Sequence, residues 1–365
     1  MEFAEINTIP EVVNVLKVLV TGFIAFVVTF IFTPFWINFL YKYKIGTKTK
    51  RKSVMGDKLQ YFNVLHASKS GTPVAGGVVV WVSIAILVFM SHYIFPHLAN
   101  FFNIDFISRL DFLSRKHTYL PLFALIAAGV LGLFDDIMSV KGWGNNKGGG
   151  MRFAMRFWWL FAIAGLGAWW FYSKLGWDTL HVPGVNDFEI GLWYIPLFIF
   201  VILFSAISSN ETDGLDGLNG GVLLMAFTAF ALIAFFQNKV NLAAFCTAIS
   251  GSLLAFLWYN IYPARFFMGD TGAMSLGTTL GVVAMLTDSA LILFIIVFIY
   301  VLESGSVVIQ LTSKKFFGRK VFFAAPIHHH FEVMGWPEPK ITMRAWIFTA
   351  ITAGLGVIIG IVGMG

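Results

Sequence analysis

The chain has 365 residues, of which 58% are hydrophobic and 12% are charged, and its mean hydropathy is +0.79. A water-soluble domain could not bury 40 Phe and 12 Trp beneath a surface made of so few charged residues. The composition therefore excludes a soluble globular protein and a disordered chain, and the single cysteine excludes a disulfide-stabilised secreted domain. The net charge of +6 fits basic inner loops of a membrane protein, so we expect no nucleic-acid partner.

Ten apolar segments are long enough to cross a bilayer or to lie among helices that do. In chain order they cover residues 15 to 40, 72 to 95, 119 to 134, 153 to 172, 190 to 209, 217 to 236, 242 to 259, 272 to 287, 289 to 311 and 343 to 364. Apolar and polar residues do not alternate in them, which favours helices over membrane strands. The sequence predicts an all-α polytopic membrane protein with about ten transmembrane helices, in one domain over residues 1–365.

Lysine and arginine are distributed unevenly between the two sides of these segments. If the N-terminus lies outside, the basic residues on the outer side are Lys17, Arg109, Arg115, Lys116, Lys174 and Lys239, and all the others fall in inner loops. Because cytoplasmic loops of membrane proteins carry the excess of Lys and Arg, both termini are predicted to be extracytoplasmic.

Carboxylates gather on the inner side. Asp135 and Asp136 close the third predicted span in GLFDD, Asp213 and Asp216 follow the fifth in NETDGLDGL, and Asp270 precedes the eighth in FMGDTG. A single Asp at such a position is more often a helix cap or a turn residue. Five at one face are not explained in that way, and charges beside membrane spans indicate function. The sequence therefore predicts an active site at the cytoplasmic face.

The residue types suggest the chemistry of this site. Adjacent carboxylates repel each other unless a cation lies between them, and an oxygen-only set suits Mg²⁺, which binds through one or two carboxylates and phosphate oxygens. Zinc is disfavoured, since the consecutive His328, His329 and His330 cannot easily converge on one tetrahedral metal. Phosphoryl transfer at a membrane surface is the expected reaction, and the lack of a GxxxxGK[ST] motif argues against an ATP-driven pump.

Six motifs carry a resemblance to a known family. They are SKSGTPVAGG (68 to 77), GLFDD (132 to 136), NETDGLDGL (210 to 218), FMGDTGAMSLG (267 to 277), ESGSVVIQ (303 to 310) and PIHHHFEVMGWPE (326 to 338). In these, and across almost the whole chain, the sequence resembles the polyprenyl-phosphate N-acetylhexosamine-1-phosphate transferases. PIHHHFE favours the branch that uses UDP-MurNAc-pentapeptide over relatives that use UDP-GlcNAc.

The resemblance implies a reaction and its setting. Phospho-MurNAc-pentapeptide would pass from UDP-MurNAc-pentapeptide to undecaprenyl phosphate, giving lipid I and UMP, in the first membrane step of peptidoglycan synthesis. The resemblance also implies a Mg²⁺ cofactor, a multi-pass protein surrounded by the lipid of the bacterial plasma membrane, and a homodimer.

The resemblance further assigns individual residues. Asp270 would be the Mg²⁺ ligand, and Asp135 and Asp136 the acid pair at the reaction centre, with Asp135 as the base that deprotonates the lipid phosphate. The nucleotide pocket would be lined by Asn210, Asp213, Gly214, Leu215 and Asp216. Lys69 and Phe267 would lie near the uracil, with Phe267 stacking on it. The diphosphate and sugar side would be formed by Gln310, His328, His329 and His330, with His329 counted among the catalytic residues.

Several alternatives stay open. The family has a basic residue after the acid pair, and Lys147, Arg152 and Arg156 are all candidates for it. The transfer could run in one step or through a covalent intermediate on an Asp. The other enzyme to consider uses UDP-GlcNAc, and the other class is a transporter or lipid scramblase, although transporters usually place their acids at the bilayer midplane.

The ninth predicted span is expected to be bent. Glu303 and Gly305 lie within it and would form the irregularity. We expect the groove beside this bend to be the path of the isoprenoid chain.

Overall fold

The computed structural model describes residues 10–46, 69, 71–144 and 149–363. Its first helices are α1 (Pro10–Lys42), α2 (Val78–Phe89), α3 (Phe95–Phe102), α4 (Asp105–Arg109), α5 (Tyr119–Lys141) and α6 (Phe153–Leu175). A two-stranded hairpin follows, made of β1 (Thr179–Val182) and β2 (Asn186–Glu189). The remaining helices are α7 (Tyr194–Thr212), α8 (Leu218–Phe236), α9 (Val240–Asn260), α10 (Gly269–Leu286), α11 (Ala290–Ile296), α12 (Phe298–Phe317), α13 (Ile327–Val333) and α14 (Glu338–Val362).

These helices confirm a helical, polytopic membrane architecture. Within the described residues, seven helical stretches are long and apolar enough to cross a membrane, and α11 with α12 would make an eighth if the bent pair is one span. All ten predicted segments are helical, but α6 and α10 are not among those seven. The number of ten spans and the orientation of the termini stay predictions.

The hairpin was not predicted. Its strands pair antiparallel, from Thr179 opposite Glu189 to Val182 opposite Asn186, and His181 bonds to Asp187 across them at 2.6 Å. It precedes α7, whereas the predicted acidic residues lie beyond the far end of that helix. The hairpin therefore lies away from the candidate site.

The ninth predicted span does bend, but at another place. The axes of α11 and α12 differ by 85°, and the break falls at Val297, whose φ of −103° and ψ of 44° are not helical. The expectation that Glu303 and Gly305 form the irregularity is wrong, because α12 runs through both. Gly305 does not mark a close contact either, since a methyl carbon added there would meet no atom within 4 Å.

Helix α10 lies at the centre of the bundle. Every residue from Thr271 to Leu286 is buried. Hydroxyl groups on α10 bond to the main chain of α5, with Thr271 donating to Gly129 O at 2.8 Å and Ser275 donating to Leu125 O at 2.7 Å. Small and hydroxyl residues allow close helix packing in membranes. Helix α10 can therefore be less apolar than its neighbours, because it packs against protein.

The close contact between α10 and α7 can be tested with Gly277→Ala. A methyl carbon at this position would lie 2.7 Å from Ser205 O and 2.8 Å from the Cβ of Ser209. Such overpacking costs roughly 1–3 kcal/mol, so we expect a lower midpoint of thermal unfolding in detergent. Gly354→Ala in α14 is the matched control, since a methyl carbon there meets no atom within 4 Å. Equal shifts in the two variants would contradict this packing.

Candidate active site

The N-terminus of α10 is capped by a carboxylate from another helix. Asp136 lies in α5, and its two oxygens accept the main-chain N–H groups of Asp270 at 3.0 Å and Thr271 at 3.1 Å. No side chain caps α10 from its own N-cap position, Met268. Unpaired N–H groups at a helix start favour a negative partner, so Asp136 fixes α5 against α10.

Asp135 and Asp270 meet beside an arginine. Arg156 in the first turn of α6 places Nη1 at 3.2 Å from Asp270 Oδ2 and at 3.5 Å from Asp135 Oδ2. Asp135 also accepts the Met151 N–H at 2.5 Å, and the Asn210 amide donates to Asp270. These residues form an acid cluster, by which we mean Asp135, Asp136, Asp270, Asn210 and Arg156.

The arrangement distinguishes the candidates for the basic residue. Arg156 contacts two of the acids, whereas Arg152 is exposed at the N-cap of α6, and Lys147 lies outside the described residues. The Nε of Arg156 is buried and has no hydrogen-bond partner in the described part of the chain.

The donors of the acid cluster fit Mg²⁺. Asp135 and Asp270 offer carboxylate oxygens side by side, where a divalent cation would offset their repulsion. Among the residues that the structure describes, no three His, Cys, Asp or Glu side chains converge as a complete metal cage. Mg²⁺ needs none, because it keeps several waters and binds through one or two carboxylates together with substrate phosphates.

A cavity of about 400 Å³ lies near this cluster. Its lining includes Lys69, Asp216, Phe267, Glu332, Trp336 and Glu338. The Lys69 ammonium lies 2.6 Å from Asp216 Oδ1, 2.5 Å from Glu338 Oε1 and 5.6 Å from the centre of the Phe267 ring. Burial by itself lowers the pKa of Lys69, but Glu338 and Asp216 outweigh this and raise that pKa above its ordinary value.

Two of the three consecutive histidines face inward. His328 is buried, its Nδ1 lies 2.9 Å from Glu303 Oε2, and its ring occupies the space where a side chain of residue 214 would lie. Burial opposes protonation, but the Glu303 carboxylate raises the pKa of His328 above its ordinary value. His329 Nδ1 lies 2.6 Å from Glu332 Oε2. Both imidazoles are thus oriented by carboxylates.

His330 and Gln310 both contact the loop that follows α12. The His330 ring stacks on Phe323 and accepts its N–H at 3.2 Å. The Gln310 amide accepts the N–H groups of Val321 and Phe322, both at 3.0 Å, and donates to Phe322 O at 2.9 Å. Both side chains therefore hold the loop after α12, and their assignment to substrate stays a prediction.

The segment 213 to 216 joins the acid cluster to the cavity. Asp213 accepts the Gly269 N–H at 3.1 Å, Gly214 contacts His328, and Asp216 lines the cavity. Leu215 is buried against Leu218 and Ile341 and anchors the segment. The structure thus brings most of the predicted residues to one end of the bundle.

The sequence predicted no role for Glu332 or Glu338. It also gave no sign that Glu303 pairs with His328. Glu332 and Glu338 both stand in PIHHHFEVMGWPE. Acidic residues in an otherwise basic inner loop were the available signal.

Comparisons with known proteins agree on one family. Residues 118–288 match the family model described as glycosyl transferase family 4. The chain is 34% identical over 351 residues to the phospho-N-acetylmuramoyl-pentapeptide-transferase of Chloroflexus aurantiacus, covering 93% of this chain and 88% of that protein. The corresponding protein of Geobacillus thermodenitrificans is 35% identical over 339 residues, with 92% and 95% covered. That of Clostridium novyi is 35% identical over 336 residues, with 91% and 94% covered.

The cap by Asp136 predicts that the two adjacent acids differ in their effect on stability. Asp136→Asn removes the charge from the start of α10 and leaves one amide oxygen for two N–H groups. We expect this variant to lose about 1 kcal/mol of folding free energy and to unfold at a lower temperature. Asp135→Asn can still accept the Met151 N–H and should unfold near the wild-type temperature. An equal loss in both variants would argue against the cap.

Proposed function

The chain belongs to the family of phospho-N-acetylmuramoyl-pentapeptide transferases, and on that basis we propose that it transfers phospho-MurNAc-pentapeptide from UDP-MurNAc-pentapeptide to undecaprenyl phosphate. The products are lipid I and UMP. The observation that carries this proposal is the acid cluster beside a cavity of about 400 Å³, with the segment 213 to 216 between them. The acid cluster suits phosphoryl transfer, and the cavity suits a nucleotide base.

The reaction forms one phosphoanhydride linkage and breaks another. An oxygen of the lipid phosphate attacks the sugar-linked phosphorus of the nucleotide, and UMP leaves with the bridging oxygen. Asp135 takes any proton from the attacking phosphate, since it is held in place by the Met151 N–H and by Arg156. Asp136 acts through the main chain by fixing the start of α10. Positioning and charge neutralisation supply most of the rate in such reactions.

The charge on the phosphates needs cations. Asp270, with Asp135 beside it, would hold Mg²⁺, which neutralises the diphosphate and stabilises the leaving UMP. Arg156 is the basic residue of this chain that lies next to both acids, and its buried Nε is a further donor for a phosphate oxygen. His328 packs against Gly214, and His329 is oriented by Glu332. We assign both imidazoles to the diphosphate and sugar side, as the family resemblance implies.

The cavity binds the uracil. Phe267 offers a ring for stacking, and Lys69 beside it donates to a carbonyl oxygen of the base. Asn210, Asp213, Gly214, Leu215 and Asp216 support the nucleotide between the cavity and the acid cluster.

The setting follows from the substrates. We place the site at the cytoplasmic face of the bacterial plasma membrane, with both termini outside and ten spans, since sugar nucleotides are cytoplasmic. The bundle has abundant apolar surface for contact with lipid, such as Phe23 and Phe35 on α1. A homodimer is the assembly we propose.

The test uses protein purified in detergent with undecaprenyl phosphate and Mg²⁺. UMP release from UDP-MurNAc-pentapeptide is compared with release from UDP-GlcNAc. Release only from the first supports the proposal. Release only from UDP-GlcNAc assigns the chain a different sugar nucleotide, and release from neither, with lipid and metal varied, contradicts a transferase of this kind.

Asp270→Asn should abolish Mg²⁺-dependent UMP release, because the amide removes one of two adjacent negative ligands. Turnover is measured over a Mg²⁺ titration, and circular dichroism checks that the variant is folded. Asp187→Asn in the hairpin is the matched control, since Asp187 is exposed and its only described ion pair is with His181. Wild-type turnover in Asp270→Asn would remove the metal assignment.

A further inference from the structure

Glu338 joins three parts of the chain at the wall of the cavity. It lies in the first turn of α14, and its side chain is 10% exposed. One oxygen, Oε1, accepts the Lys69 ammonium at 2.5 Å and the main-chain N–H of Asp216 at 2.5 Å. The Glu338 carboxylate is therefore held by a cation and by the main chain at the same time.

Asp216 completes the arrangement around Lys69. Its Oδ1 accepts the same ammonium at 2.6 Å, and its Oδ2 accepts the Ala264 N–H at 3.0 Å. The hydroxyl of Thr342 donates to Asp216 O at 3.2 Å, one turn further along α14. Lys69 is therefore held by two carboxylates that are themselves fixed to the main chain.

Such fixing matters for binding. A free lysine side chain has several rotamers, and ordering it when a ligand binds weakens the affinity. Here the ammonium is already placed beside the Phe267 ring, at 5.6 Å from its centre. The cost of ordering Lys69 is met when the protein folds.

The side chains at this wall indicate which part of a nucleotide belongs there. The Lys69 ammonium is already paired with Asp216 and Glu338, so it suits a neutral carbonyl group better than a phosphate. The Phe267 ring beside it offers a face on which a base can stack.

We propose that Glu338 is a positioning residue for the nucleotide base, which holds Lys69 and the main chain of Asp216 in the geometry that binds a pyrimidine carbonyl. It sets the affinity for the nucleotide and leaves the phosphoryl-transfer step unchanged. This role rests on the proposed function, because it assumes that the cavity takes the base of the sugar nucleotide.

The experiment compares Glu338→Gln and Glu338→Ala with the wild type. Calorimetry gives the Kd for UMP, with Mg²⁺ present, and steady-state kinetics gives KM and kcat for UDP-MurNAc-pentapeptide. In Glu338→Gln we expect Kd and KM to rise about tenfold, the size of one charge-assisted hydrogen bond, while kcat changes less than about twofold. Glu338→Ala should show a larger rise, since it also loses the acceptor for the Asp216 N–H. Glu189→Gln, an exposed Glu in β2, is the control.

Two results would overturn the role of Glu338. They are an unchanged Kd and KM in Glu338→Gln, and a fall in kcat at unchanged Kd. Glu338→Gln carries the test if Glu338→Ala does not fold. If the wild type neither binds UMP nor releases it from either sugar nucleotide, the proposed function fails and the role of Glu338 fails with it. Normal wild-type binding with normal Glu338→Gln binding removes only the role of Glu338.

Discussion

The start of α10 is the point on which the arrangement of the bundle depends. Helix α10 is surrounded by other helices and has no side-chain cap of its own, and its first N–H groups would be costly to leave unpaired in such a place. The carboxylate of Asp136 accepts two of these N–H groups and so fixes the position of α5 along the axis of α10. Because Asp135 is the next residue along α5, the same contact brings it to Asp270. Asp135 and Asp270 are thus brought together by the same bonds that hold the two helices together.

This arrangement makes two adjacent, identical residues unequal. Both oxygens of Asp136 are occupied by main-chain N–H groups, whereas Asp135 has an oxygen that faces Arg156 and Asp270. The positive charge of Arg156 offsets the repulsion between the acids in the structure. The cavity shows a similar pattern, with Lys69 between two carboxylates. It differs from the acid cluster in its aromatic lining, since the Phe267 ring lies 5.6 Å from the Lys69 ammonium.

The helices and the clustering of acids could be predicted from the sequence, because apolar runs and charged residues near spans leave strong local signals. The place of the break at Val297 could not, since Val is ordinary in a helix and the bend depends on what α11 and α12 pack against. Helix α5 extends beyond its predicted end for a similar reason. Asp135 and Asp136 form a polar boundary in the sequence, but the helix continues to Lys141. Gln310 and Glu338 show the same limit at the site, since only the tertiary contacts reveal that one holds a loop and the other holds Lys69.

Gly214 limits how this protein could escape an inhibitor. The imidazole of His328 fills the space where any other side chain at residue 214 would lie, so a substitution there displaces the buried partner of Glu303. A compound that makes its main contacts with the backbone of this segment would therefore meet a surface that the chain cannot easily change. Resistance would instead arise where the lining is looser, as at Tyr262, which is 54% exposed.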